Sequence, residues 1–275
     1  MSSDTAETFQ ITPAQADLYE STFVPAIFAQ WSPLLLDAAE VRQAQRVLDV
    51  ACGTGILART AAERVGPSGS LVGVDLNPAM LAVARRLRPD LGWRQGDAAQ
   101  LPFGESTFDV VLCQSALMFF PDATEALREM ARVCRPGGSV GVQVYGSLQD
   151  QPAYGPWVEM VARLCGPEAV GLLSRYWVHG DLDALAARFR SAGLVVTDVR
   201  TVLGSARWQS VDQMVRIEVE GSPLIERISE TMYGRIREES REVLGKYERD
   251  DGADVPLLGH LVVARSLQPA RSESS

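Results

Sequence analysis

Val47-Leu48-Asp49-Val50-Ala51-Cys52-Gly53-Thr54-Gly55-Ile56-Leu57-Ala58 is the stretch that decides the fold. Val47 to Val50 reads as a short buried strand, and Ile56 to Val65 carries apolar residues at helical spacing. Between them, small residues at Ala51, Gly53 and Gly55 let the backbone turn tightly and let a ligand approach it. The helix that starts near Ile56 offers unpaired N–H groups and a partial positive charge to a carboxylate or phosphate. Gly53 to Ala58 fits the loose G-x-G-x-x-A fingerprint, and Asp75, 20 residues beyond Gly55, sits where a ribose-binding acid belongs. These features alone leave open a nicotinamide or flavin enzyme, or a protein using another adenosine-containing cofactor.

Outward from this turn, strands and helices alternate. Further strands are expected at Leu71 to Val74, Trp93 to Gln95, Phe108 to Cys113, Val140 to Tyr145, Leu194 to Val199 and Pro256 to Ala264. Helices are expected near Ala79 to Leu87, after the cap-like Asp122-Ala123-Thr124-Glu125, and at Asp181 to Ser191, with Pro136-Gly137-Gly138 stopping the second. Alternation of this kind predicts an α/β fold with a doubly wound, mostly parallel seven-stranded sheet. The core is expected at 46–145, 181–204 and 255–265. Two insertions, 146–180 and 205–254, break the rhythm. A helical segment at 1–45 precedes the core, with Thr12-Pro13-Ala14-Gln15 as a helix start and Pro25 and Pro33 as dividers. A polar tail, 266–275, is expected to be disordered.

Two more acids narrow the ligand. Asp49 lies at the end of the first strand, where a carboxylate would oppose a pyrophosphate and favour an amine or sulfonium. Gly96-Asp97-Ala98 ends the third strand, where a carboxylate suits an adenine amino group. Acids after three successive strands suit a ligand cationic at one end and adenosine at the other. S-adenosylmethionine fits that description and NAD fits it poorly.

Composition excludes other classes. Thirty-five acids against 26 bases give a net charge of −9, and no basic patch is evident, so nucleic acid is not an expected partner. Lys246 is the only lysine and no Tyr-x-x-x-Lys pair occurs, because position 242 is Glu242. The longest apolar stretch, Val110 to Phe120, is broken by Gln114 and Ser115 and falls short of the ~18 residues of a membrane span. Met1 to Gln10 is acidic and lacks a secretory pattern. Cys52, Cys113, Cys134 and Cys165 have no metal or disulfide spacing, so the expected setting is a reducing cytoplasm without a metal site. Homo-oligomerisation is left open.

Five segments in register then carry a family resemblance: Val47 to Ala58 (VLDVACGTGILA), Gly73 to Met80 (GVDLNPAM), Gly96 to Phe108 (GDAAQLPFGESTF), Asp109 to Asp122 (DVVLCQSALMFFPD) and Leu127 to Gly138 (LREMARVCRPGG). Together they resemble the class I S-adenosylmethionine-dependent methyltransferases, especially the ubiquinone/menaquinone-biosynthesis branch. The resemblance implies a Rossmann-like sheet with helical lid insertions. It places Gly53 and its neighbouring backbone at the cofactor's methionine portion and Asp49 near its amine. Asp75 would hold both ribose hydroxyls, Leu76 would pack on the adenine, and Asp97 with the Ala98 amide would read the adenine edge. Gln114 would line the methionine end, and Tyr19 would close over the cofactor. Ala51 departs from a glycine common in the family.

Each assignment has a structural alternative. Gly53 and Gly55 could only form a turn, Asp75 and Asp97 could cap helices, Asp49 could only hold the turn, and Gln114 could only satisfy local backbone. The catalytic residue is not identified by sequence: His179, at the end of an aromatic insertion, is a candidate base, and His260 reads as structural. The expected function is methyl transfer by in-line displacement to a small apolar or aromatic acceptor. Its rivals are a cofactor-binding regulatory or inactive subunit and an NAD(P)-dependent oxidoreductase.

Overall fold

The computed structural model describes residues 11–266, so the expectations for Met1 to Gln10 and for the tail beyond Ser266 lie outside the described residues. The chain divides into two compact units, Met1–Gln143 with Leu182–Arg200 and Leu261–Ser275, and Val144–Asp181 with Thr201–His260.

In chain order the elements are α1 (Pro13–Leu18), a π-helical segment (Tyr19–Phe28), α2 (Trp31–Ala38), β1 (Arg46–Val50), α3 (Ile56–Val65), β2 (Ser70–Asp75) and α4 (Pro78–Leu87). They continue with β3 (Gly92–Gln95), β4 (Phe108–Gln114), α5 (Ala123–Val133), β5 (Cys134–Tyr145), α6 (Tyr154–Cys165), α7 (Glu168–Leu173) and α8 (Leu182–Ser191). The last are β6 (Leu194–Trp208), α9 (Val211–Glu220), α10 (Glu230–Leu244), β7 (Glu248–Arg249) and β8 (Gly252–Ser266). No described helix is long and apolar enough to cross a membrane.

The sheet order is β3-β2-β1-β4-β5-β8-β6, with β7 paired to β8. The pairs β1–β2, β1–β4, β2–β3 and β4–β5 are parallel. Contacts of β8 with its neighbours run in opposite senses: Gly146 N–H to Leu258 O and Arg265 to Gly137 O on one side, Thr201 to His260 and Thr197 to Val263 on the other. That is the signature of antiparallel neighbours. Strand order reverses between β1 and β4, which makes the carboxyl ends of these two strands the switch point where α/β sheets take ligands. Both strands are apolar on both faces, as central parallel strands must be, and Leu48, Val50, Val111 and Leu112 are fully buried.

The sheet is an α/β, mostly parallel sheet as expected, with one strand more than predicted. The addition, β7, has two residues and is too short to show a period. Three strands are longer than the sequence suggests. β5 begins at Cys134 because Pro136-Gly137-Gly138 is absorbed as an irregularity: pairing jumps from Phe108↔Cys134 to Val110↔Ser139. β6 runs on to Trp208, and β8 starts at Gly252. Pro25 does not break its helix either. It sits within a π-helical turn where Ala29 N–H reaches Val24 O, a spacing wide enough to accommodate the missing donor.

Trp93 fixes the glycine turn from below. Its ring lies against Gly55 and Gly73, where an added Cβ would come within 2.4 Å and 2.5 Å of ring carbons, and its indole donates to Arg88 O at 2.8 Å. Gly55 also has φ +88°, which favours glycine. Gly55→Ala is therefore expected to lower stability by about 2–4 kcal/mol through backbone strain and overpacking. Urea unfolding should show a smaller loss when the same change is made in a Trp93→Leu background.

Candidate functional site

β1 ends at Val50 and the chain enters the turn through Ala51, a non-glycine residue at φ +56°, then Gly53 at φ +54° and Gly55 at φ +88°. Three left-handed residues in five fold the backbone back so that α3 begins directly above the strand. An L-residue in this conformation costs about 1–2 kcal/mol, so the turn must be held from outside.

Two carboxylates hold it. Asp49 is 1% exposed, and its Oδ2 accepts the Ala58 N–H at 3.0 Å. It thus satisfies a first-turn donor of α3, whose own cap, Gly55, has no side chain for the task. Asp75, at the end of β2, accepts the Gly53 N–H on Oδ2 and the Asn77 N–H on Oδ1, both at 2.8 Å. The cap of α4 belongs to Asn77, whose Oδ1 accepts from Ala79 and Met80. Asp75 is therefore not that helix's cap, and its oxygens retain lone pairs facing the turn.

Burial is the main cause that lifts Asp49 to about 8; the Ala58 bond opposes it and the nearby Asp75 charge adds to it. Burial also raises Asp75, against its backbone hydrogen bonds. Two adjacent carboxyls with raised pKa values make a place that offers an anion no counter-charge and that a cation favours by drawing a carboxyl into its ionised form. Inside the same turn, Thr54 is buried and its hydroxyl has no hydrogen-bond partner.

The remaining expected residues gather around this turn. Leu76 is 41% exposed directly after Asp75, and its carbonyl accepts from Gln95 Nε2 at 3.1 Å. Gly96 N–H bonds Asp75 O at 3.1 Å, which brings the end of β3 beside the end of β2. Asp97 follows, exposed, with Oδ1 accepting the Ala99 N–H at 2.9 Å; Ala98 is buried. Gln114, at the end of β4, accepts from Ser32 Oγ at 2.9 Å and donates to Phe28 O at 3.0 Å. It ties the N-terminal helices to the switch point. Tyr19 stacks on Phe28 with ring centroids 5.2 Å apart, and its ring is 3.8 Å from where a Cβ on Gly53 would stand.

Sequence reasoning missed the clamp that puts Tyr19 there. Arg59 on α3 pairs with Glu20 at 2.7 Å and donates to Thr54 O at 2.8 Å, joining the π-helical segment to the glycine turn. Nothing in the spacing of Glu20 and Arg59, 39 residues apart, signals this bond. Cys52 is buried with its thiol pushed up by burial and by Asp49 and Asp75, which makes it a poor nucleophile. His179 is buried in the other unit and is not among the residues brought together here. His260 is buried with its ring hydrogen-bonded to Thr201 at 2.9 Å.

Comparison with known proteins agrees with this geometry. A methyltransferase-domain family model matches residues 47–138. A ubiquinone/menaquinone biosynthesis C-methyltransferase of Bordetella parapertussis is 33% identical over 204 residues, covering 69% of this chain and 78% of that protein. The chain belongs to the class I S-adenosylmethionine-dependent methyltransferases. The enzyme of the same description from Idiomarina loihiensis is 38% identical over 141 residues, 49% of this chain and 56% of its own length. The chain thus spans about half the length of several curated methyltransferases it matches. Among solved structures, the Bacillus subtilis YcgJ protein superposes with a TM-score of 0.58 at 22% identity, over 86% of this chain and 98% of that one, which supports the fold. The matched residues, 47–138, contain Asp49, Gly53, Gly55, Asp75, Leu76, Asp97, Ala98 and Gln114, but neither Tyr19 nor His179.

The raised Asp49 carboxyl has a signed consequence for stability. The folded protein keeps its proton up to about pH 8, whereas an unfolded chain releases it near pH 3.8. This contribution is complete at low pH and is lost as pH rises through that interval. Asp49→Asn, which retains an acceptor for Ala58, should flatten the decline in urea midpoint from acid to pH 8 relative to wild type. A midpoint profile identical to wild type would mean that Asp49 is already ionised in the fold.

Proposed function

We propose that the chain transfers a methyl group from S-adenosylmethionine to an apolar or aromatic small molecule, with a quinol or phenol as the favoured class. The observation that carries this reading is the pair of raised carboxyls, Asp49 and Asp75, beneath a glycine turn at the switch point. A pyrophosphate would meet no counter-charge there and would oppose ionisation of these carboxyls, so an NAD(P)-dependent reaction is disfavoured relative to a cationic ligand, beside which Asp49 ionises. An amino acid attached to a nucleoside suits them, because its amine neutralises the buried acid and its ribose hydroxyls donate to Asp75.

The residues present fit that ligand. The unpartnered Thr54 hydroxyl and the close-approach Gly53 backbone face the amino-acid end, with Asp49 beside the amine and Gly55 opening the helix. Asp75 holds the ribose, Leu76 supplies an exposed apolar surface for the adenine, and Asp97 with the Ala98 amide reads its edge. Gln114 lines the methionine end while holding Phe28, and Tyr19 covers the turn. The bound cofactor supplies an electrophilic methyl carried on a sulfonium. The chain's own contribution is then to orient that ligand and exclude water, since in-line attack at about 3 Å needs positioning more than a dedicated acid. The aromatic insertions at 146–180 and 205–254 are assigned to acceptor recognition, in keeping with the quinone-biosynthesis names of the relatives.

Asp75→Ala is expected to weaken cofactor binding by about a hundredfold or more, the loss of two hydrogen bonds to a charged acceptor. Calorimetric titration with S-adenosylmethionine measures it, and wild-type affinity would refute the ribose assignment. Incubation of the full chain with methyl-labelled donor and a panel of phenols, quinols and amines should label a hydroxylated aromatic. Tight cofactor binding without transfer to any of them would contradict the enzymatic reading.

A further inference from the structure

β6 forms one edge of the sheet: the strand order ends on it, so among the described residues no strand pairs with its outer side. The strand at the opposite edge, β3, has four residues (Gly92–Gln95), whereas β6 is one unbroken strand from Leu194 to Trp208. A long open edge is a template for pairing with another chain, and proteins blunt such edges with proline, lysine or bulges. Residues 195–203 contain neither proline nor lysine. Val195, Val199 and Leu203 share one face of the strand by its two-residue period, and they are 42%, 43% and 59% exposed.

The order of residues along this edge identifies its partner. Read outward from Val199, Asp198 is mirrored by Arg200, Thr197 by Thr201, Val196 by Val202 and Val195 by Leu203. When two identical strands pair antiparallel about a two-fold axis through Val199, each residue lies opposite its mirror. Asp198 then faces the second copy's Arg200 twice by symmetry, Val195 faces Leu203, and Val199 faces itself. Asp198 and Arg200 already form an ion pair at 2.7 Å, with side chains 39% and 48% exposed, so the four charges around the axis alternate in sign. The hydroxyls of Thr197 and Thr201 are tied back to β8, at 3.3 Å to Val263 O and 2.9 Å to His260 Nδ1, so the threonine pair across the axis needs no further hydrogen bond.

Charge also fixes the register. A continuous sheet keeps odd-numbered residues opposite odd and even opposite even, so the nearest alternative two-fold registers centre on Asp198 or Arg200. The first sets Asp198 against its own copy and the second sets Arg200 against its own copy. Like charges directly opposite are unfavourable, so both alternatives are disfavoured.

We propose that the outer edge of β6 is a self-recognition surface, along which two copies of this chain pair antiparallel through residues 195–203. The Asp198–Arg200 contacts set the register and the valine and leucine pairs supply apolar contact. The interface uses the same edge of both copies, so assembly closes at a dimer. The inference is independent of the methyl-transfer reading, because none of these residues belongs to the cofactor site.

Sedimentation velocity on the full chain at tens of micromolar protein should give twice the chain mass of 29.9 kDa. Asp198→Arg places like charges opposite one another, as does Arg200→Asp, and each should raise the dimer dissociation constant at least about tenfold. An equal mixture of the two variants should recover the dimer, because opposite charges then face each other across the axis. The double variant Asp198→Arg/Arg200→Asp should recover it as well. Both side chains are exposed, and thermal unfolding midpoints matching wild type would show each variant folded. A monomeric wild type, single variants that dimerise as wild type does, or a mixture of folded variants that stays monomeric would each overturn the proposal.

Discussion

A carboxyl group buried at the end of β1 is the constraint from which the rest of the site follows. Asp49 lies 1% exposed beneath a turn with three left-handed residues, and holds the first turn of α3 through Ala58. Burying an acid next to a second acid is unfavourable unless the group stays protonated or meets a cation. Under the proposed function, these two outcomes correspond to the free and liganded states of one site. The turn-holding role of Asp49 is therefore compatible with the proposed functional one. The same oxygen that replaces a missing helix cap is, in the proposed function, the one that favours a cationic ligand.

The remaining elements serve this arrangement. Trp93 packs so closely under Gly55 and Gly73 that neither can carry a side chain, which sets the height of the turn above the sheet. Asp75 bonds the Gly53 amide, so the turn and the acid proposed to hold the ribose are built as one unit. Arg59 ties Glu20 of the π-helical segment to the glycine turn, and Gln114 ties Phe28 to the end of β4. Apart from the local Arg59–Thr54 bond, each bond links residues at least 22 apart in sequence, so the site's order depends on the completed sheet.

Much of this was legible in the chain itself, because strands β1 to β4 and their helices have clean periods and the glycine turn is local. Asp49, Gly53, Gly55 and Asp75 are identified by their place on that pattern, and the structure brings them together. Strand ends were less legible. β5 begins before Pro136-Gly137-Gly138 because a register irregularity absorbs residues that read as a stop, and β7 is too short for any period. Pro25 reads as a divider but is tolerated inside a π-helical turn. Long-range side-chain partnerships left no trace at all: the Glu20–Arg59 clamp and the Glu218–Tyr154 bond join residues whose separation obeys no local rule. Histidine has the ordinary pKa nearest neutrality, whereas the groups that burial shifts toward neutrality here include the carboxyls of Asp49 and Glu218.

The most direct measurement is the proton balance of cofactor binding, obtained by titrating S-adenosylmethionine calorimetrically near neutral pH in buffers of different ionisation enthalpy. A carboxyl with a pKa of about 8 that gives up its proton when a cation binds beside it should release close to one proton per ligand bound. Asp49→Asn should abolish that release. Binding with no proton released by wild type, or a release unchanged in the variant, would contradict the claim that Asp49 selects the ligand by its charge.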